Sequence, residues 1–196
     1  MFSYVYPDRE RKGELMGSRR TLVAKLWLGE MHITWAGPGD PLLKHELAHV
    51  FSASFGSGPL RLSARHGVIV NMGLVEGLAV AAEWPGEELS PHGWAAALHR
   101  LELAPDVAAV LDPAGFWSQH SRTVYTTMGS FVRWLIDTRG IAKLREAYAA
   151  GTLDGVYDDD LASLVSEWQA FLAQIPLSNV DLALAEYYFA KPSIFG

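Results

Sequence analysis

The chain has 196 residues, within reach of one domain, and 49% of them are hydrophobic while 19% are charged. This composition supports a sizeable core and excludes an intrinsically disordered chain. The formal net charge is −6, so we expect no nucleic-acid partner, because such binding needs a basic face. The absence of cysteine excludes disulfides, thiolate nucleophiles and cysteine metal sites. Any bound metal must therefore use histidine and carboxylate ligands.

No transmembrane segment is expected. The most apolar stretch, Gly67–Trp84, contains Asn71, Glu76 and Glu83 and is too polar for a span of ~20 residues. The N-terminus lacks the basic-then-apolar order of a signal peptide. The sequence is compatible with a mature protein or with a domain cut from a longer chain, and it predicts neither the compartment nor the oligomeric state.

The first predicted elements are strands. Phe2–Tyr6 is aromatic and β-branched, and the Pro7-Asp8 pair and a charged turn follow it. Two more strands are predicted at Thr21–Leu28 and Met31–Trp35, with a short turn between them. Together they predict a small antiparallel or mixed sheet within about residues 1–36.

The rest of the chain is predicted to be helical. Asp40 is a favourable N-cap and Pro41 a favourable first residue for a helix that ends near Ser54. Ser178 with Asp181 resembles a capping box for the last helix. Further helices are predicted at about 72–84, 90–103, 105–111, 122–139, 141–150 and 158–174. The order of elements predicts one α+β domain over 1–196, with a helical body from about residue 40.

The first predicted helix contains the sequence His45-Glu46-Leu47-Ala48-His49. Because the two histidines are four residues apart, their side chains project from one face, about one turn apart. Two imidazoles so placed can bind one zinc ion, with Glu46 beside the metal rather than on it. This is the arrangement of a metal-bound water next to a carboxylate general base. The alternative is a pair of half-buried structural histidines.

A third ligand is needed, because catalytic zinc takes three protein ligands and keeps one position open. Glu76 in the next predicted helix is the candidate, since residues 50–75 allow the first helix to end and the second to pack back against it. Gly77 and Ala79 are small and would let these two helices approach closely. A lone charge in so apolar a helix is costly unless it is paired or metal-bound. The alternative is a solvated glutamate.

The two motifs together resemble those of the gluzincins, the thermolysin-like and aminopeptidase-like zinc peptidases. The resemblance covers about residues 20–150. It implies a zincin-like fold, a peptide or protein substrate, one zinc ion held by His45, His49 and Glu76, and Glu46 as the general base.

Two positions of the second motif depart from the family patterns. Val75 stands where an Asn often precedes the third ligand, and Val80 stands where the thermolysin variant has an Asp that holds a zinc histidine. Glu83, two turns from Glu76 on the same face, is one candidate for that supporting role. A solvated Glu83 is the favoured interpretation.

The helix containing Tyr125 resembles the post-ligand helix of aminopeptidase-like gluzincins. The resemblance implies that Tyr125 donates to the oxyanion of the tetrahedral intermediate, which a phenol O–H can stabilise electrostatically. The alternative for Tyr125 is an aromatic that packs the start of the helix. His120 and Arg122 are the alternative donors.

The strand Met31–Trp35 precedes the first motif, and in gluzincins an edge strand there pairs with an extended peptide. The aminopeptidase signature Gly-x-Met-Glu-Asn is replaced by Gly29-Glu30-Met31-His32-Ile33, so endopeptidase and aminopeptidase specificities both stay open. The leading hypothesis is a zinc-dependent peptidase. The alternatives are a non-hydrolytic peptide-binding, protein-binding or sensor domain that keeps the zincin fold, and a helical scaffold without a metal.

Overall fold

The computed structural model describes residues 2–19, 23–26, 28–34, 41–83 and 88–193. In these residues, short strands near the N-terminus precede a helical body, and the predicted α+β class is confirmed. The predicted cap Asp40, the strand end Trp35 and the helix end Trp84 lie outside the described residues. No helix of the described part is long and apolar enough to cross a bilayer.

The N-terminal strands form a mixed sheet of β1 (Phe2–Tyr6), β2 (Val23–Lys25) and β3 (Glu30–Thr34). β3 lies in the middle, parallel to β1 and antiparallel to β2. The expectation that the strand before the first motif is an edge strand is therefore wrong. Residues 30–32 have a paired strand on each side, so no edge is free there for a substrate. A second sheet pairs β4 (Ala64–Arg65) with β5 (Ile69–Val70).

The charged segment after β1 forms a helix, α1 (Arg9–Met16), where the sequence predicted a turn. The Asp8 carboxylate accepts a hydrogen bond from the backbone N–H of Arg11 at 2.7 Å, which caps the helix. A helix fits this place because β1 and β3 are parallel, and parallel strands cannot be joined by a tight turn. Lys12 of α1 has a fully buried side chain.

The helical body consists, over the described residues, of α2 (Pro41–Ser52), α3 (Met72–Glu83), α4 (Pro91–Arg100), α5 (Val107–Leu111), α6 (Gly115–Ser118), α7 (Ser121–Arg139), α8 (Ile141–Ala150), α9 (Leu161–Ala173) and α10 (Asn179–Phe189). Most lie close to their predicted bounds, and the short α6 was not predicted. The capping box of Ser178 and Asp181 at the start of α10 is confirmed. The main core contains buried side chains of α3, α7 and α9, such as Leu74, Phe131 and Trp168 respectively.

Helices α3 and α7 pack closely because each presents a glycine to the other. A Cβ atom on Gly77 would lie 2.9 Å from Val132 Cγ2 and 3.0 Å from the carbonyl oxygen of Met128. A Cβ atom on Gly129 of α7 would overlap the side chain of Val80 of α3. The prediction that Gly77 lets α2 and α3 approach closely is wrong, because Gly77 faces α7. Helix α2 packs against α3 as well, so α3 lies in contact with both helices.

Candidate metal centre

Helix α2 presents its two histidines side by side. The ring centroids of His45 and His49 are 4.7 Å apart, and the ring planes meet at 82°. His49 is buried and His45 is largely buried. The four-residue spacing places the side chains one turn apart, as α-helical geometry requires.

Glu76, in the first half of α3, lies close to both imidazoles. Its Oε2 is 3.0 Å from His45 Nε2 and 3.6 Å from His49 Nε2, and the residue is only 9% exposed. Asn71 fixes the start of α3, because its Oδ1 accepts from the backbone N–H of Leu74 and its Nδ2 donates to the carbonyl of Gly151. The structure thus brings together His45, His49 and Glu76, the three predicted metal ligands.

The donor set and its spacing fit a zinc ion. One ligand atom from each of His45, His49 and Glu76 lies within 4.8 Å of the other two, and no fourth residue joins this group in the described part of the chain. With metal–ligand bonds of about 2.0–2.1 Å in a tetrahedral site, two ligand atoms are about 3.3 Å apart. The separations of 3.0 and 3.6 Å lie on either side of that value. Two imidazole nitrogens and one carboxylate oxygen would leave the fourth position of a tetrahedral metal ion open.

Glu83 contacts the other nitrogen of His45. Its Oε1 is 2.5 Å from His45 Nδ1, and its side chain is 31% exposed. The interpretation of Glu83 as a solvated glutamate is therefore wrong. A carboxylate on the far nitrogen of a histidine fixes the ring orientation and the tautomer, which leaves Nε2 directed at Glu76. The sequence signal was the spacing of Glu76 and Glu83, which puts both carboxylates on one helix face.

The carboxylates of Glu76 and Glu83 stabilise positive charge on the neighbouring imidazole of His45. Burial by itself lowers the pKa of His45, but hydrogen bonds to Glu76 and Glu83 outweigh burial and raise this pKa to about 10. Burial by itself raises the pKa of Glu76, but hydrogen bonds from His45 and His49 lower it to about 2. The cluster therefore stabilises a proton between anionic carboxylates, and the same charges would stabilise a cation.

Glu46 lies next to His45 on α2 but outside the ligand group. It is 9% exposed, and burial raises its pKa, while the charges of His49 and His45 act in the opposite direction. The ammonium group of Lys12 in α1 also interacts electrostatically with Glu46. Sequence reasoning missed Lys12, because the charged segment that carries it was predicted as a turn, which gives no reason to expect burial.

Tyr125 of α7 lies at the same cluster. Its ring centroid is 6.3 Å from that of His45, and its hydroxyl is hydrogen-bonded to Glu76. Burial and the negative charge of Glu76 raise its pKa, so the phenol keeps its proton and can act as a donor. The buried ring of Phe116 packs edge-on against it at 5.6 Å.

The two alternative donors lie against the C-terminal segment instead. His120 Nε2 is 3.0 Å from the carbonyl oxygen of Lys191, and the guanidinium of Arg122 lies 4.7 Å from the ring centroid of Tyr188. Of the three candidate donors, Tyr125 is hydrogen-bonded to Glu76.

Comparison of the chain with protein-family models, with curated proteins and with solved structures returned no match.

Proposed function

We propose that this protein is a zinc-dependent peptidase of the gluzincin type. The observation that carries the proposal is the convergence of His45, His49 and Glu76, from two packed helices, into a group whose ligand atoms lie within 4.8 Å of one another. The neighbouring Glu46 supplies a carboxylate of the type that acts as a base in such sites. The resemblance of the two motifs to the gluzincin pattern supports the same conclusion.

When bound, a zinc ion would supply Lewis acidity and would make a water molecule acidic near neutral pH. His45, His49 and Glu76 would hold it, and Glu83 would keep the ring of His45 in the binding orientation. Glu46 would take one proton from the water as the oxygen attacks the peptide carbonyl carbon. It would then pass this proton to the amine nitrogen as the C–N bond breaks.

Tyr125 would stabilise the charge that develops on the carbonyl oxygen. Its hydroxyl already donates within the cluster, and its raised pKa keeps the O–H intact for a hydrogen bond to an oxyanion. The substrate class we propose is a peptide or protein. Because β3 is a central strand over residues 30–32, pairing of the substrate with this segment is not part of the proposal.

The test combines metal content with hydrolysis on the full chain. We expect about one zinc ion per chain by elemental analysis, and cleavage of a quenched-fluorescence peptide pool that a chelator abolishes and added zinc restores. Glu46→Gln should lower kcat by roughly 100-fold or more and leave zinc content unchanged. Glu186→Gln, an equal change at an exposed position on α10, should leave both unchanged.

Two outcomes would overturn the proposal. Zinc bound without hydrolysis of any peptide in the pool would favour the alternative of a non-hydrolytic binding or sensor domain. Absence of zinc after purification and after reconstitution would exclude the zinc-dependent peptidase. Full activity of Glu46→Gln would refute the assignment of the base alone.

A further inference from the structure

The last turn of α8 is connected by hydrogen bonds to the end of α2, the helix that carries His49. The hydroxyl oxygen of Tyr148 lies 3.2 Å from Ser52 Oγ, and Ser52 Oγ donates to the carbonyl oxygen of His49 at 2.9 Å. The side chains of Tyr148 and Ser52 are both buried. Because Ser52 has a single O–H and donates it to His49, the O–H of Tyr148 is the donor to Ser52 Oγ. The hydrogen bonds therefore run from Tyr148 through Ser52 to the backbone of His49.

The same end of α8 is also bonded to the start of α3, the helix that carries Glu76. Asn71 Nδ2 donates to the carbonyl oxygen of Gly151 at 3.1 Å, while Asn71 Oδ1 accepts from the backbone N–H of Leu74. A Cβ atom on Gly151 would overlap the backbone of Ala64, so α8 ends in close contact with the segment between α2 and α3. The end of α8 thus contacts both helices that supply the candidate metal ligands.

The position of His49 depends on its backbone more than the position of His45 does. Glu83 holds the ring of His45 at Nδ1, whereas no residue of the described part of the chain takes that place for His49. The carbonyl oxygen of His49 accepts from the N–H of Ala53 at 3.1 Å and from the O–H of Ser52, which uses both of its lone pairs. Consecutive hydrogen bonds polarise one another, so the bond that Ser52 accepts strengthens the bond that it donates to His49.

We propose that Tyr148 is a positioning residue of the metal centre. Its hydroxyl fixes the last turn of α2 from a position 96 residues beyond Ser52, and it thereby holds His49 at the distance from Glu76 at which both can bind one metal ion. Ser52 alone does not do this, because its bond to His49 lies within α2 and moves with that helix. This inference deepens the proposed function and rests on the zinc site proposed there.

The test measures the zinc affinity of the full chain, by competition with a fluorescent chelator, and the free energy of unfolding of each metal-free variant in urea. Tyr148→Phe removes the hydroxyl and keeps the ring, which packs edge-on against Phe55 at 6.2 Å. We expect zinc affinity to fall about 3- to 10-fold, which is less than the ~10- to 100-fold loss for a partner on the ligand ring, because Tyr148 acts through Ser52. A residue needed only for folding would lower the free energy of unfolding without changing the zinc affinity of the folded protein.

Tyr157→Phe is the matched control. It removes the same atom from another buried tyrosine, whose hydroxyl has no hydrogen-bond partner in the part of the chain that the structure describes, so zinc affinity should stay at the wild-type value. Ser52→Ala breaks the same series of hydrogen bonds nearer to His49 and should lower zinc affinity at least as much as Tyr148→Phe. Adding Tyr148→Phe to Ser52→Ala should cause no further loss, because the two residues act through one interaction.

The outcomes separate this inference from the proposed function. Wild-type zinc affinity in folded Tyr148→Phe, equal affinities in Tyr148→Phe and Tyr157→Phe, or additive losses in the double variant would overturn the role of Tyr148 and leave the proposed peptidase standing. Should Tyr148→Phe fail to fold, wild-type zinc affinity in Ser52→Ala would overturn the same role. A wild-type protein that binds no zinc would overturn both the role of Tyr148 and the proposed function.

Discussion

The contact between Glu83 and His45 provides a sharp test of the candidate metal centre. Replacing Glu83 with Ala removes the acceptor that lies 2.5 Å from His45 Nδ1 and frees the ring to rotate. We expect zinc affinity to fall, because a ligand that has lost its supporting carboxylate is less basic and less well oriented. Glu83→Gln should have a smaller effect, since its amide oxygen can still accept the Nδ1–H.

The size of the loss follows from the geometry. Removing such a supporting partner typically lowers metal affinity 10- to 100-fold. The Glu83 side chain is 31% exposed, so water can replace part of the lost hydrogen bond. We therefore expect the lower end, a loss of about tenfold, which corresponds to about 1.4 kcal/mol. Glu76→Gln, which removes a ligand itself, should cause a larger loss.

The assay is competition for zinc between the protein and a fluorescent chelator of known affinity. Glu46→Gln is the matched control, because Glu46 lies beside His45 but outside the ligand group and should leave zinc affinity unchanged. Circular dichroism establishes that each variant is folded. Wild-type zinc affinity in folded Glu83→Ala would refute the supporting role, and equal losses in Glu83→Ala and Glu46→Gln would attribute the effect to net charge.

Three further changes test other parts of the structure. Tyr125→Phe should lower kcat by about 100-fold while zinc content stays the same, and an unchanged kcat would exclude an oxyanion role. Gly77→Ala places a Cβ atom 2.9 Å from Val132 Cγ2, so we expect urea denaturation to show a free energy of unfolding lower by about 1–3 kcal/mol. Ala82→Gly, at an exposed position of the same helix, should lower the free energy of unfolding by about 1 kcal/mol or less. Burial lowers the pKa of His99 below its unfolded value near 6.5. Below that pH the unfolded chain therefore binds more protons than the folded chain, and the free energy of unfolding falls as the pH falls. The drop in unfolding free energy between pH 7.5 and 5.5 should be smaller in His99→Phe than in wild type.

Local signals in the sequence predicted the parts of the site that depend on helical spacing. The positions of His45 and His49 follow from the four-residue spacing, and the importance of Glu76 follows from a single charge in the interior of the apolar helix α3. The capping box at Ser178 is also local, since both of its hydrogen bonds join residues three apart. Such features need no knowledge of tertiary contacts.

Features that depend on which elements meet were predicted less well. A solvated Glu83 was the favoured interpretation over a supporting role, and its partner His45 lies 38 residues away, which local sequence patterns do not reveal. Gly77 was assigned to the wrong neighbouring helix, since a small residue indicates close approach but not what approaches. The central position of β3 depends on parallel pairing with β1 across the intervening α1, which a strand-by-strand analysis does not reveal.

Gly77 follows Glu76 directly in the chain, so the residue that sets how near α3 comes to α7 is adjacent to the residue that faces the imidazoles. A mutational scan scored by the proposed peptidase activity would consequently rank Gly77 alongside His45 and His49, although the side chain of Gly77 is a single hydrogen atom. A parallel scan scored by cellular abundance would separate residues needed for folding from residues needed only for activity. Substitutions of Gly77 should lower abundance, and substitutions of Glu46 should not.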